Sequence, residues 1–318
     1  MPTSRTLLLS AALAGAALAP GAVAQGASTT LAVEQAPTRV AAWDGTVMWS
    51  RFDAATRTYS LVKSVDGGAP VAVGVAPRAT GPFDVDLGTN RGGSTFAVYT
   101  REDGDIYRLN VATGRETKID RLSSPNQVER SPTIQRGEIA FIRHDRGFDQ
   151  LRIGNTTRGS KGSRLVLKGR SILGAELGIR HIAYVEQVPT DRERELHVRV
   201  RNIRTGADRR VYRAVSGGAN AAHVTRPTYV ARPEGFLWAR TNLGSGRGNR
   251  LVRYTLRGSK LEYAQGSPRY NSSAWAGREL GAATSSTLGG DAEGACSDVG
   301  VAYCKVELSG PLTFDLRP

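Results

Sequence analysis

Apolar and polar residues alternate with a period of two in short runs along most of the chain, the pattern of half-buried strands. Six runs share one order: apolar, any residue, aromatic, any residue, charge. They are Val47–Arg51, Ala97–Arg101, Ile139–Arg143, Ile182–Glu186, Phe236–Arg240 and Val301–Lys305. Their aromatics, from Trp49 to Tyr303, recur at intervals of 50, 42, 43, 54 and 65 residues. Self-similarity on that scale predicts the blades of a propeller.

A second alternating run follows most segments, and often a glycine turn and a third run. After Tyr99 come Ile106–Leu109, the turn Ala112–Gly114 and Glu116–Ile119. After Tyr184 come Leu196–Val200, the turn Thr205–Gly206 and Arg209–Tyr212; after Trp238 come Leu251–Tyr254, Arg257–Ser259 and Lys260–Tyr263. Glycine supplies the positive φ that tight hairpins need. With a leading run such as Phe83–Leu87, each repeat counts four strands. The last repeat is one strand short, ending in the run Leu312–Leu316, while Thr30–Val33 is a spare strand before the first blade. The expected fold is all-β: a six-bladed β-propeller of four-stranded antiparallel blades. Its ring would be closed by the N-terminal strand joining the last blade, residues 28–36 pairing with the strand around Phe314. Two β-sandwich domains would account for the strand content but not for six aligned aromatics.

The amino terminus follows a different pattern. Arg5 precedes an apolar run from Leu7 to Ala19, Pro20 and Gly21 break it, and Ala22-Val23-Ala24 fits an A-x-A cleavage site. The run is too short to span a bilayer as a helix; a buried N-terminal helix is the alternative. The expected division is therefore 1–24 signal peptide, 25–37 N-terminal closing strand and 38–318 a single propeller domain, secreted to the extracellular space or periplasm. The 318 residues carry 43 Lys+Arg against 29 Asp+Glu, a net charge of +14. Cleavage would remove Arg5 alone, leaving 42 against 29, or +13. Two cysteines exclude a disulfide-dense scaffold and a four-thiolate zinc site. In an oxidising compartment Cys296 and Cys304, eight residues apart as in neighbouring hairpin strands, are expected to pair. Two reduced, inert thiols are the alternative.

Gly104-Asp105-Ile106-Tyr107-Arg108, Thr113-Gly114, Ser131-Pro132 and Gly137–Phe141 resemble TolB-type, WD40-like (PD40) propeller repeats. Those repeats read as a Ser-Pro turn, a glycine, an apolar-aromatic strand, a "DIY" strand and a "TG" turn. Arg226-Pro227 sits near the same turn, though the usual Trp and the Asp-Gly after it are missing. The resemblance covers most of residues 38–318 and is specific in the second and third repeats. It implies a six-bladed propeller and a secreted bacterial setting. The fold serves binding mainly and catalysis occasionally, and no functional residue carries over.

Motifs for chemistry are sparse. His144, His181, His197 and His223 form no tight ligand pair, so no metal and no cofactor is expected. Gly244–Gly248 lies between two strands with no helix behind it, which suits a hairpin better than a phosphate loop. Asp84–Asn90 begins like a calcium loop, but Thr89 and Thr95 stand at the sixth and twelfth positions; a strand with carboxylates facing the channel fits better. Ser64–Gly68 matches part of a sialidase-type box, once only. Glu176, Glu186, Asp191, Glu193 and Glu195, interleaved with Arg192 and Arg194, read as an exposed salt-bridged loop. No catalytic residue is assigned.

Charge sharpens once blades are drawn. Hairpins between third and fourth strands share one face and hold Arg158, Lys161 and Arg164, then Arg204, Arg209 and Arg210, then Arg257 and Lys260. The turns between first and second strands add Arg136, Arg180 and Arg232, while the first and last blades carry Asp44, Asp66, Asp291, Glu293 and Asp298. Solvated charge without a partner is the bland alternative. The expectation is a monomeric, non-catalytic binding or scaffold propeller for a protein or anionic cell-envelope polymer, with no specific nucleic acid and no membrane span. A propeller hydrolase or lyase acting on carbohydrate is the alternative.

Overall fold

The computed structural model describes residues 28–36, 38–156, 162–169, 171–190, 193–216, 222–242, 249–265, 269–277, 281–287, 304–309, 312 and 314. Every regular element among them is a strand. After β1 (Ser28–Glu34), the first sheet runs β2 (Val40–Trp43), β3 (Thr46–Asp53), β4 (Thr58–Val65) and β5 (Val71–Ala72). The second runs β6 (Asp86–Thr89), β7 (Thr95–Thr100), β8 (Ile106–Asn110) and β9 (Glu116–Lys118). The third holds β10 (Glu129–Gln135), β11 (Glu138–Asp145), β12 (Phe148–Asn155) and β13 (Ser163–Gly169). The fourth holds β14 (Ile172–Leu177), β15 (His181–Pro189), β16 (Arg194–Asn202) and β17 (Asp208–Val215). In the fifth, β18 (Ala222–Val224) and β19 (Thr228–Ala231) both pair with β20 (Glu234–Asn242), followed by β21 (Arg250–Thr255) and β22 (Lys260–Gln265). The sixth takes β23 (Arg269–Gly277), β24 (Gly281–Thr287) and β25 (Cys304–Ser309), with β1 as its fourth strand.

Six antiparallel blades thus form a β-propeller. Trp49, Tyr99, Phe141, Tyr184 and Trp238 occupy the second strand of blades one to five, all buried. Each ring contributes roughly 5 kcal/mol of transfer free energy before entropy is counted. The apolar clusters lie between blades. Met48 meets Phe83 and Tyr99; Phe141 meets Val98 and Ile106; Tyr184 meets Ile142 and Leu151; Trp238 meets Val198. Leu237 meets Ala282, and Trp49 of the first blade meets Ala274, Val306 and Leu31 of the sixth. Turn chemistry agrees with the sequence: in Asp44-Gly45 and Arg136-Gly137 both residues have positive φ, as two-residue hairpins with a primed turn require.

Two expectations need correction. The segment around Tyr303 is not a second strand: Cys304 opens β25, the third strand, and Tyr303 lies outside the described residues. The second place belongs to β24, whose Ala282 and Ala283 are buried. Moreover, β1 pairs with Cys304–Ser309, from Ser28↔Ser309 to Glu34↔Cys304, and not with the run around Phe314. Leu312 and Phe314, the described residues of that run, lie outside any strand. Leu312 and Phe314 pack instead on the cluster between blades five and six, with the Arg253 guanidinium 4.0 Å over the Phe314 ring.

Candidate functional site

The first strand of each blade lines the central channel, and its free edge leaves backbone N–H groups without a ladder partner. Carboxylates on one blade answer those of a later blade. Asp84 accepts from Ser131 N at 2.7 Å, Asp86 from Ile134 N at 2.9 Å, and Glu176 from Tyr229 N at 3.2 Å. Asp86 and Glu176 are buried and line a channel cavity of about 100 Å³. Asp84 and Asp86 therefore face the channel as the strand reading expected, whereas Glu176 does not belong to an exposed loop. In that acidic cluster only Glu193 is a loop residue among those described; Glu186 and Glu195 sit on β15 and β16. Sequence proximity misled there because strand alternation sends neighbours to different faces.

Arg226 stands between the channel acids. It occupies the break between β18 and β19, where Pro227 interrupts the inner strand. Its Nε donates to Ala175 O at 2.8 Å, and its Nη2 to Pro132 O at 2.9 Å and Glu176 Oε2 at 3.3 Å. Gly174 makes the room: a Cβ there would lie 3.1 Å from Arg226 Cγ. Thr133 Oγ1 adds a hydrogen bond to Glu176 at 3.1 Å. Burial raises the pKa of both acids, with the repulsion of Asp86 adding to that of Glu176 and Arg226 opposing it. One cation between two coupled acids favours retention of a proton by the pair.

The two channel mouths differ. Antiparallel order places the turns between first and second, and third and fourth, strands at one end. There Trp43 stacks on Tyr229 at 6.5 Å and 11°, Phe236 abuts Tyr229, and Ile179 packs alongside. The opposite end opens into a cleft of about 490 Å³ whose wall includes Arg39, Arg78, Asp84, Glu102, Arg130 and Leu173. Several of its charges are engaged: Arg130 with Asp149 at 2.7 Å, Arg78 with the carbonyls of Pro82 and Thr100, and Glu102 with Thr80.

The basic residues expected from sequence lie at the end where Trp43 stacks on Tyr229. Arg204 and Arg257 occupy turns, Arg209, Arg210 and Lys260 begin outer strands, and all are exposed. None of these five has an acidic partner among the described residues. Arg164 is exposed on β13 and reaches Ile203 O of the next blade at 3.4 Å. Arg136, Arg180 and Arg232 are exposed at this end too, whereas Arg158 and Lys161 lie outside the described residues. Other arginines of the same blades are neutralised: Arg199 by Asp208 at 3.0 Å and Arg253 by Glu262 at 2.7 Å. Cys304 is buried; its expected partner Cys296 lies outside the described residues, and no cysteine among those described is free. No three His, Cys, Asp or Glu side chains among the described residues are grouped to hold a metal ion. Among the described residues, likewise, no helix is long and apolar enough to cross a membrane.

The fold and its channel define a six-bladed β-propeller with the architecture of TolB-type proteins. By sequence the chain matches no protein-family model and no curated protein. By structure it is similar to an oligogalacturonate lyase in complex with manganese, with TM-score 0.54, 11% identity, and 86% of this chain and 82% of that chain covered. It is also similar to TolB from Acinetobacter baumannii, with TM-score 0.51, 13% identity, and 72% and 54% covered. A puromycin hydrolase gives TM-score 0.53, 13% identity, and 87% and 53% covered. The chain thus spans about half the length of the latter two.

Proposed function

We propose that this protein is an exported, monomeric binding propeller that grips an anionic cell-envelope polymer, or an acidic protein surface, with the basic turns at its aromatic end. The observation that carries this reading is the selective absence of partners: Arg204, Arg209, Arg210, Arg257 and Lys260 are exposed without an acid among the described residues, while Arg199, Arg201 and Arg253 beside them are paired. Arg164 reaches Ile203 O of the next blade at 3.4 Å, so charges on these neighbouring hairpins act together within a Debye length of about 8–10 Å. Arginine's planar fork suits phosphate and carboxylate. The channel acids support a non-catalytic role, since each is occupied in holding a neighbouring strand. Residues 1–24 act as the leader, 25–37 supply the closing strand, 38–318 form one domain, and Cys296 bonds Cys304.

Reversing Arg204, Arg209 and Arg257 to Glu should lower the salt needed to elute the protein from heparin, because polyanion binding releases counterions. The control reverses Arg57, Arg146 and Arg194, at the opposite end. Equal elution of the two triple variants would leave only diffuse charge.

A further inference from the structure

Arg39 precedes β2 and lines both the channel cavity and the outer cleft. Arg39 is exposed to the channel water, and no hydrogen bond or ion pair holds its guanidinium among the described residues. Asp84, the acid nearest in charge effect, is already occupied by Thr100 and Ser131. A water-exposed guanidinium with no acid on it keeps its donors available to an incoming anion. His223 on β18 lines the same cavity from the fifth blade, also without a partner among the described residues. Leu173, 40% exposed, forms an apolar wall shared by both spaces.

We propose that the open mouth is a binding site for a small organic monocarboxylate, its carboxylate on Arg39 and His223 and its carbon skeleton against Leu173 in the cleft. A planar carboxylate matches the guanidinium fork. A dianion such as phosphate is disfavoured, because Asp84, Asp86 and Glu176 border the same space. This site is at the opposite end from the basic turns and does not depend on them.

His223 gives the site a pH dependence. Enclosure, and then the charge of Arg39, push its pKa down, so the free imidazole is neutral near pH 7. A bound carboxylate favours the protonated ring, so binding takes up a proton and affinity rises as pH falls. Asp84, Asp86, Glu176, Arg130 and Arg226 also face this space. The Asp86–Glu176 pair, its pKa raised by burial, would add to the same slope, which is why a His223 variant is needed.

Benzoate and hexanoate, with benzyl alcohol and hexanol as neutral counterparts, are titrated into the full chain and followed by amide chemical shifts. The two carboxylates are expected to bind and the alcohols not. Arg39→Gln should weaken the carboxylates about tenfold or more. Arg39→Lys should retain part of the affinity, and His223→Asn should flatten the rise from about pH 7.5 to about pH 5. Melting curves confirm that each variant is folded. Failure of wild type to bind either carboxylate, equal binding of the alcohols, or unchanged binding by folded Arg39→Gln would each overturn the proposal.

Discussion

Glu34 ends β1 and joins the sixth blade to the first, which makes it a direct probe of the seam. Its Oε1 accepts from Trp49 Nε1 at 2.6 Å and from Arg51 Nε and Nη2, each at 3.2 Å. Glu34 is 4% exposed and Trp49 is fully buried, so Glu34→Ala strands an indole N–H where little water can replace the acceptor. That loss costs about 1–3 kcal/mol. The Arg51 ion pair adds less than about 1 kcal/mol, because Arg51 keeps 42% of its side chain exposed. Together these destabilise by about 1–4 kcal/mol. With an unfolding entropy of about 2.1 cal/mol/K per residue, a domain of this length should lose roughly 2–6 °C in Tm. Glu34→Gln retains an acceptor for the indole and should lose about half as much. Trp49→Phe combined with Glu34→Ala should be less destabilising than the two changes added, because the donor is gone. Deleting residues 25–36, which also removes the β1–β25 ladder, sets the upper limit. Differential scanning calorimetry reads all four; Glu34→Ala melting within 1 °C of wild type, or identically to Glu34→Gln, would refute this account.

Mass spectrometry of the exported protein under non-reducing conditions should find Cys296 bonded to Cys304, and two alkylatable thiols would exclude the bond. Its loop-closure contribution is on the order of 2–3 kcal/mol, so reduction should lower Tm only moderately. The channel acids predict a stability that falls with pH: folded Glu176 holds its proton above about pH 4.5, where the unfolded chain has released it. Glu176→Gln should flatten the decline of Tm as pH rises from that value, and an unaltered slope would show that the acid titrates normally.

Much of the fold was legible because its cause is local. Alternation set the strands, Asp44-Gly45 and Arg136-Gly137 set hairpins, and one buried aromatic in each of the first five blades set the repeat. The reading failed where alternation was right but its place in the sheet depended on distant chain. Val301–Lys305 has the residue pattern of a second strand, yet the hairpin of β23 and β24 takes that place with alanines small enough to pack under Leu237. The partner of β1 was likewise misjudged by a few residues: a free strand at either end can be recognised locally, whereas its register is decided by what it covers, here Trp49 through Glu34.

The site was less legible for a reason that the two mouths make concrete. A meander of antiparallel strands sends alternate turns to opposite ends, so once strands are counted the sequence states which residues share an end. That sufficed to group Arg204, Arg209 and Arg257. It says nothing about what stands across a channel, where Glu176 of the fourth blade, Arg226 of the fifth and Asp86 of the second meet from positions 50 and 90 residues apart. Nor does a lone Arg39 before a strand advertise a place in the channel, since it is one of 43 basic residues in the chain. The feature that could have flagged it is relational: Asp84, the acid of the second blade that acts on Arg39, is already taken by Thr100 and by Ser131 of the third, so the cation keeps no acid partner of its own. An arrangement of that kind leaves the anion to be supplied from outside.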